Sequence, residues 1–256
     1  MSKKMIFFKN MMGQKKRSTF SHVNHVFKCP ILSTNRNINN NLNLLYRHLC
    51  KNKTNLVLGG DHSLSIATLS YSLRNYGNDF KVIWVDAHAD INSTASSHSK
   101  NIHGMVLNYI CGVEHNRPHF TFIPSRKLNL KNILYIGLRD PDIYEQSLID
   151  KYQIQTISCD MINNHTQDAI KKTKKFIGQD KFHLSIDIDG LDPKYTPSTG
   201  TPVEKGIKMD SLLFLMKSLN NKNKIFTDIV EYNPNLGSVN DKIVTQNNIK
   251  KLIQQV

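Results

Sequence analysis

Short apolar runs recur along the chain, and helix-like segments fill the intervals between them. The runs cover residues 56–58, 82–85, 133–138, 154–157, 182–186 and 225–230. They are brief, β-branched and apolar on both parities, the pattern of strands buried on both faces. Residues 4–12 read as one more short strand around Ile6-Phe7-Phe8. The helical candidates are 64–74, 142–151, 166–177, 210–219 and 241–255, with another where Leu42, Leu45, Tyr46 and Leu49 recur at i, i+3, i+4, i+7. Strict alternation of this kind predicts a parallel sheet with helices on both faces. At 256 residues one compact domain with a sizeable core is the default. No Gly/Ser-rich or Pro-rich linker divides the chain.

Several runs close on the same residue types. Leu58 leads into Gly59-Gly60-Asp61-His62, Val85 into Asp86-Ala-His88-Ala-Asp90, and 133–138 into Arg139-Asp140-Pro-Asp142. Ile186 leads into Asp187-Ile-Asp189, and Val230 into Glu231. Open parallel sheets bind ligands outside the carboxyl ends of their strands. Solvated loops would scatter Lys, Asn and Ser there, whereas these loops gather Asp, His and one Glu.

Asp86, His88 and Asp90 follow one another at i, i+2, i+4, a period that puts all three on one side of an extended segment. Asp187 and Asp189 repeat the spacing, and His62 follows a Gly-Gly turn. Four carboxylates cannot share a small volume without cations, because each raises its neighbours' pKa values. Two divalent ions would neutralise them. A donor set of oxygen and imidazole without thiolate suits Mn²⁺ or a similar ion. Two such ions, roughly 3.5–4 Å apart, would deprotonate a water between them for attack on a planar, poorly electrophilic carbon. Glu231 could hold a guanidinium bidentately, and His103 could shuttle a proton.

The charge balance is +14, but residues 1–60 hold eleven basic side chains and no acid, so the excess is concentrated at one end. No nucleic-acid motif accompanies it, and the lysines from Lys171 to Lys175 read as a solvated helix face. Arg17 is the only arginine among the first thirty-five residues, which argues against an organellar leader. Four cysteines without a CxxC pair point to a reducing compartment, and no apolar run reaches the roughly 18 residues of a membrane span. The expected location is cytoplasmic, with mitochondrial as the alternative.

With these residues in place, the chain resembles the arginase (ureohydrolase) family. The matching motifs are Gly59-Gly-Asp-His62-Ser, Asp86-Ala-His-Ala-Asp90-Ile-Asn92, Asn101-Ile-His103-Gly-Met, Ser185-Ile-Asp187-Ile-Asp189-Gly-Leu-Asp-Pro193, Gly200-Thr201-Pro and Asp228-Ile-Val-Glu231-Tyr-Asn-Pro234, in the family's order. The resemblance implies a three-layer α/β/α fold around a mostly parallel sheet, in a single catalytic domain spanning 1–256. It implies two Mn²⁺, one on His62, Asp86, Asp90 and Asp187, the other on His88, Asp86, Asp187 and Asp189. Asp90 would orient the bridging hydroxide, Glu231 would take the guanidinium with Thr201 nearby, and His103 would relay a proton to the leaving amine. Asn92, Ser97, Ser99, Asp142 and Glu145 match the loops with which arginases hold the α-carboxylate and α-amino groups. The implied reaction is hydrolysis of L-arginine to L-ornithine and urea. Alternatives are agmatine or another guanidino acid as substrate, or an inactive metal-binding homologue. A trimer or hexamer is implied by resemblance alone. Three departures stand out: Lys100 replaces a usual glycine, Glu204-Lys205-Gly206 alters a Gly-rich loop, and residues 1–54 are short and divergent, with the first helix expected to be missing.

Overall fold

The computed structural model describes residues 5–8, 37–113 and 120–256, together with the backbone of 31–32. The helix expected to be missing after the first strand concerns residues outside this set. The described chain builds one eight-stranded sheet. Its strands are β1 (Met5–Phe8), β2 (Ile31–Leu32), β3 (Leu56–Gly59), β4 (Lys81–Val85), β5 (Ile133–Ile136), β6 (Gln155–Ile157), β7 (Phe182–Asp187) and β8 (Lys224–Val230). Their order across the sheet is β2-β1-β3-β8-β7-β4-β5-β6. Every pairing is parallel.

Helices cover both faces. One layer holds α1 (Ile38–Asn52), α2 (Ser65–Tyr76), α3 (Val106–Cys111) and α4 (Ile143–Tyr152); the other holds α5 (Cys159–Asn164), α6 (Thr166–Ile177), α7 (Met209–Ser218) and α8 (Val239–Gln255). Period-two alternation splits the strand side chains between two cores. Trp84, Tyr135 and Phe226 point into the first, and Ile83, Leu134 and Ile229 into the second. Helix α1 shows how the sequence writes such a layer. Asn37 caps it by accepting from the Asn40 N–H, and Leu42, Leu45 and Leu49 are fully buried on one stripe. Each such side chain contributes about 1.5–3 kcal/mol of transfer free energy. Among the described residues, no helix is long and apolar enough to cross a membrane.

The sequence placed α6 at its observed bounds and most other elements within two residues. It ran β5 on to residue 138, but the strand stops at Ile136 because Gly137 turns the chain at φ +90°. It gave no helix for α3 or α5, each only six residues long.

The order of strands decides where the site lies. The chain enters the middle of the sheet at β3, jumps to β4, and returns later through β7 and β8 to fill the space between them. The carboxyl ends of β3, β8, β7 and β4 thus stand side by side, and all four carry acidic or imidazole side chains into their following loops.

Candidate metal centre

Each strand end delivers its residues through a tight turn. After β3 the chain forms a one-turn 3-10 helix, His62–Leu64, capped by Asp61, whose carboxylate takes the Ser63 N–H at 3.0 Å. After β7, Asp187 caps a similar turn by accepting the Asp189 N–H at 2.8 Å. After β4, the Asp86 carboxylate takes the His88 N–H at 2.7 Å. These segments depart from the period-two expectation of an extended strand. Asp86–Asp90 is not extended, and Asp90 adopts φ +50°. Asx-type turns, rather than strand pleat, bring alternate side chains together.

His62 lies at the centre. Its Nδ1 is 3.1 Å from Asp86 Oδ2, 2.9 Å from Asp90 Oδ2 and 3.2 Å from Asp187 Oδ2. His88 Nδ1 is 3.2 Å from Asp189 Oδ2 and 3.5 Å from Asp86 Oδ1. The donor atoms form two groups, His62–Asp86–Asp187 and Asp86–His88–Asp189, each within 4.8 Å, and Asp86 belongs to both. His62 Nδ1 and Asp86 Oδ2 are both buried, and neither makes a hydrogen bond despite these short approaches. Donor atoms that face a common point rather than one another suit a cation.

Electrostatics give the same answer. Burial, then the neighbouring carboxylates, push Asp187 well above the usual carboxylate range, and push Asp90 and Asp189 up as well. Burial works against the charge on Asp86 too, but His62 and His88 outweigh it and hold that carboxyl low. Burial opposes the charged form of His88, yet Asp189 and Asp86 push it up to about 12. The imidazoles do the neutralising in the metal-free protein.

A cavity of about 140 Å³ opens beside these groups. Its lining joins the ligand candidates His62, His88, Asp90, Asp187 and Asp189 to Glu231, His103 and Thr201 and to Asn92, Ser97, Ser99 and Glu145. Of the residues singled out in the sequence, Asp86 and Asp142 do not line it. Asp86 is buried and contacts both histidines. Asp142 caps α4 in a reciprocal box with Glu145 and takes a short hydrogen bond from the Asn92 amide. Glu231 Oε1 accepts the His62 N–H at 2.7 Å and is 3.7 Å from His103 Nδ1. Thr201 donates to Asp189 Oδ2 at 3.1 Å. Lys100 does not enter the cavity; its ammonium donates to the carbonyls of Thr94 and Ala95.

The sequence matches the model of the Arginase family over residues 9–255. The chain belongs to the arginase family. It is 38% identical over 202 residues to the arginase of Coccidioides immitis (strain RS), covering 75% of this chain and 63% of that protein. It is 37% identical over 208 residues to the arginase of Saccharomyces cerevisiae (strain ATCC 204508 / S288c), covering 75% of this chain and 62% of that protein. The match thus spans somewhat under two thirds of the length of these curated relatives. The crystal structure of Entamoeba histolytica arginase in complex with L-ornithine superposes with a TM-score of 0.82 at 27% identity, covering 100% of this chain and 98% of that one.

Sequence reasoning missed several residues around the site of this arginase-family chain. Arg139 donates to the carbonyls of Asp189 and Val203 at 2.8 and 2.6 Å and of Glu204 at 3.0 Å, so it ties the β7 turn to the Thr201 loop. Trp84 stacks on His62 with centroids 4.1 Å apart. Asp228 and His183 are fully buried and bonded at 2.9 Å. The last two carried a usable signal, since a charge within an apolar run must find a partner.

Proposed function

We propose that this chain, acting over 1–256 as one catalytic domain, hydrolyses L-arginine to L-ornithine and urea with two Mn²⁺. The observation that carries the reading is the pair of donor groups sharing Asp86, set against a cavity that Glu231, Asn92, Ser97, Ser99 and Glu145 also line. His62, Asp86, Asp90 and Asp187 would hold one ion, and His88, Asp86, Asp187 and Asp189 the other. Bound there, the ions supply the positive charge that makes water a nucleophile near neutral pH.

The protein's own residues do the rest. Glu231 faces the cavity and can take the planar guanidinium through two parallel hydrogen bonds. The His62 N–H on its Oε1 fixes the direction of that carboxylate. Asp90 orients the attacking water. His103, 3.7 Å from Glu231, can carry a proton to the leaving amine. Ser97, Ser99 and Asn92 offer donors to an α-carboxylate, and Glu145, with Asp142 behind it, offers charge to an α-amino group. A site built around polar partners rejects analogues lacking them by large factors. Agmatine, without the carboxylate, should therefore be a poor substrate. A trimeric or hexameric assembly in the cytoplasm completes the reading.

The test is urea release from L-arginine and from agmatine by the Mn²⁺-loaded protein, with Asp187→Ala as control. Urea from arginine alone, lost in the control, is the expected result. Urea from agmatine alone would overturn the roles given to Asn92, Ser99 and Glu145. No urea from either, with both ions bound, would overturn the reaction.

A further inference from the structure

Behind His62, on the face of the sheet covered by α2, runs a chain of buried polar groups that the reaction does not use. Ser185 and Asp228 are direct partners across β7 and β8, and Ser185 is the partner of Trp84 across β7 and β4. His62 Nε2 is 2.9 Å from Ser185 Oγ. Ser185 in turn makes a short hydrogen bond to Asp228 Oδ1. The other carboxylate oxygen of Asp228 takes the Thr68 hydroxyl at 2.6 Å and His183 Nε2 at 2.9 Å. His183 Nδ1 meets Ser72 Oγ at 2.9 Å. Ser72, Thr68, His183, Ser185 and Asp228 are all fully buried.

A histidine can offer Nδ1 to a cation only if its proton is on Nε2, and the partner at Nε2 decides that. A serine hydroxyl alone cannot decide it, because it both donates and accepts. Here the Ser185 proton is committed to Asp228, an acceptor surrounded by three donors. The Ser185 oxygen is left to accept from His62 Nε2–H, so the proton that a cation displaces is the one on Nδ1, the nitrogen that faces Asp86, Asp90 and Asp187.

We propose that Asp228 and His183 are positioning residues for His62, acting through Ser185, and that they set the affinity of the ion on the His62 side but not of the ion on the His88 side. The inference rests on the metal-centre reading above. Asp228→Asn should reverse the chain. Its amide oxygen must turn toward the two donors, Thr68 and His183. The amide N–H then faces Ser185 and turns the serine proton toward His62. His88 meets Asp86 and Asp189, its Nε2 is 3.7 Å from Asp140 Oδ2, and its contacts include none of Ser185, Asp228 and His183.

The experiment is calorimetric titration of Mn²⁺ into the metal-free protein. Wild type, Asp228→Asn, Ser185→Ala and the double variant are compared, with Thr173→Val as a matched loss of a buried hydroxyl in the opposite helix layer. Two ions are expected in wild type. Asp228→Asn should weaken one of them about 10–100-fold, the usual effect of losing an outer hydrogen-bond partner, and leave the other unchanged. The double variant should be no weaker than Ser185→Ala alone, because both substitutions break one path. Thr173→Val should bind as wild type does. Unchanged affinities in Asp228→Asn, parallel loss of both ions, or additive losses would overturn the proposal. If Asp228→Asn does not fold, His183→Gln against His183→Ala decides. Gln keeps an N–H toward Asp228 and should retain the affinity that Ala loses; equal affinities would overturn the proposal. Failure of wild type to bind two ions would overturn the metal-centre reading itself, a result distinct from all of these.

Discussion

One methyl group at Gly190 should disturb the metal centre without altering any of its donor groups. Gly190 closes the turn after Asp187 and packs against the end of β4. A Cβ there would lie 3.0 Å from the Asp86 nitrogen, 3.2 Å from its Cα and 3.3 Å from the Val85 carbonyl carbon. All three contacts are backbone, so no side chain can swing away. Gly190 is outside the left-handed region, so alanine brings no conformational strain of its own. Strand β4 is pinned between β5 and β7, and the Asp86 N–H donates to the Ile136 carbonyl at 3.1 Å. Relief of a few tenths of an ångström must therefore come from the segment that carries Asp86. Overpacking of this kind costs about 1–3 kcal/mol. At this chain length that lowers the melting temperature by roughly 2–4 °C per kcal/mol. A 1 Å misplacement in a site costs about 10²-fold in rate, so a few tenths should cost a few-fold to about tenfold. Gly104→Ala is the control, since Gly104 lines the same cavity and a Cβ there meets nothing within 4 Å. Thermal unfolding by circular dichroism, together with urea release, reads both effects. Gly190→Ala melting and turning over like wild type, or Gly104→Ala losing as much, would refute the packing argument.

Three other outcomes follow from the same structure. Metal-free protein should lose stability as pH rises from 5 to 8: the raised carboxyls of Asp90, Asp187 and Asp189 hold protons that the unfolded chain releases near pH 4, and His62 and His88 hold protons that it releases near pH 6.5. Asp86, held low, adds no slope above about pH 4, so saturating Mn²⁺ should raise the melting temperature more at pH 8 than at pH 5; a rise independent of pH would contradict this. Burial pushes Glu145 up to about 7, so its charge is lost on acidification, and the KM for L-arginine should climb as pH falls from 8 to 6, a dependence that Glu145→Gln should flatten. Lys205 adopts φ +59°, and relief of about 1–2 kcal/mol of left-handed strain against about 0.5–1 kcal/mol of glycine entropy should make Lys205→Gly at least as stable as the parent in urea denaturation. Lys100→Gly should gain less, because the Lys100 ammonium bonds to Thr94 and Ala95 would go with it.

The parallel sheet was legible because strands buried on two faces must be apolar on both parities, and few other folds require that of so many short runs. The centre was legible because carboxylates that converge need an imidazole or a cation, so their spacing exposes them. Helices α3 and α5 were not legible, being too short to complete two turns of periodicity. Arg139 was hidden for a different reason. Its partners are backbone carbonyls from 50 to 65 residues away, and carbonyls leave no mark in a sequence.

The same distinction explains why the spacing of Asp86, His88 and Asp90 gave the right neighbours for the wrong reason. Period two matches an extended strand, but it also matches a turn in which each carboxylate caps the N–H two residues on. The turn differs in consequence. It commits Asp86 Oδ1 to the His88 N–H and Asp187 Oδ1 to the Asp189 N–H, while the Oδ2 atoms of Asp86 and Asp187 face His62. A strand would leave both oxygens of each carboxylate free to swing. The turns spend one oxygen on the backbone and aim the other, so the centre is ordered by the fold before any cation arrives. Asp90 and Glu231 complete it from left-handed positions, at φ +50° and +65°, a conformation that side chains other than glycine adopt at a cost. Each is held there by neighbours: the Asp90 carbonyl takes the Leu107 N–H at 2.9 Å, and the Glu231 N–H reaches the Gly60 carbonyl at 2.7 Å. The Gly60 contact joins the turn after β8 to the turn after β3, and the Leu107 contact joins the loop after β4 to α3. The strain at these two residues is therefore borne by the same contacts that bring the separate loops into one site.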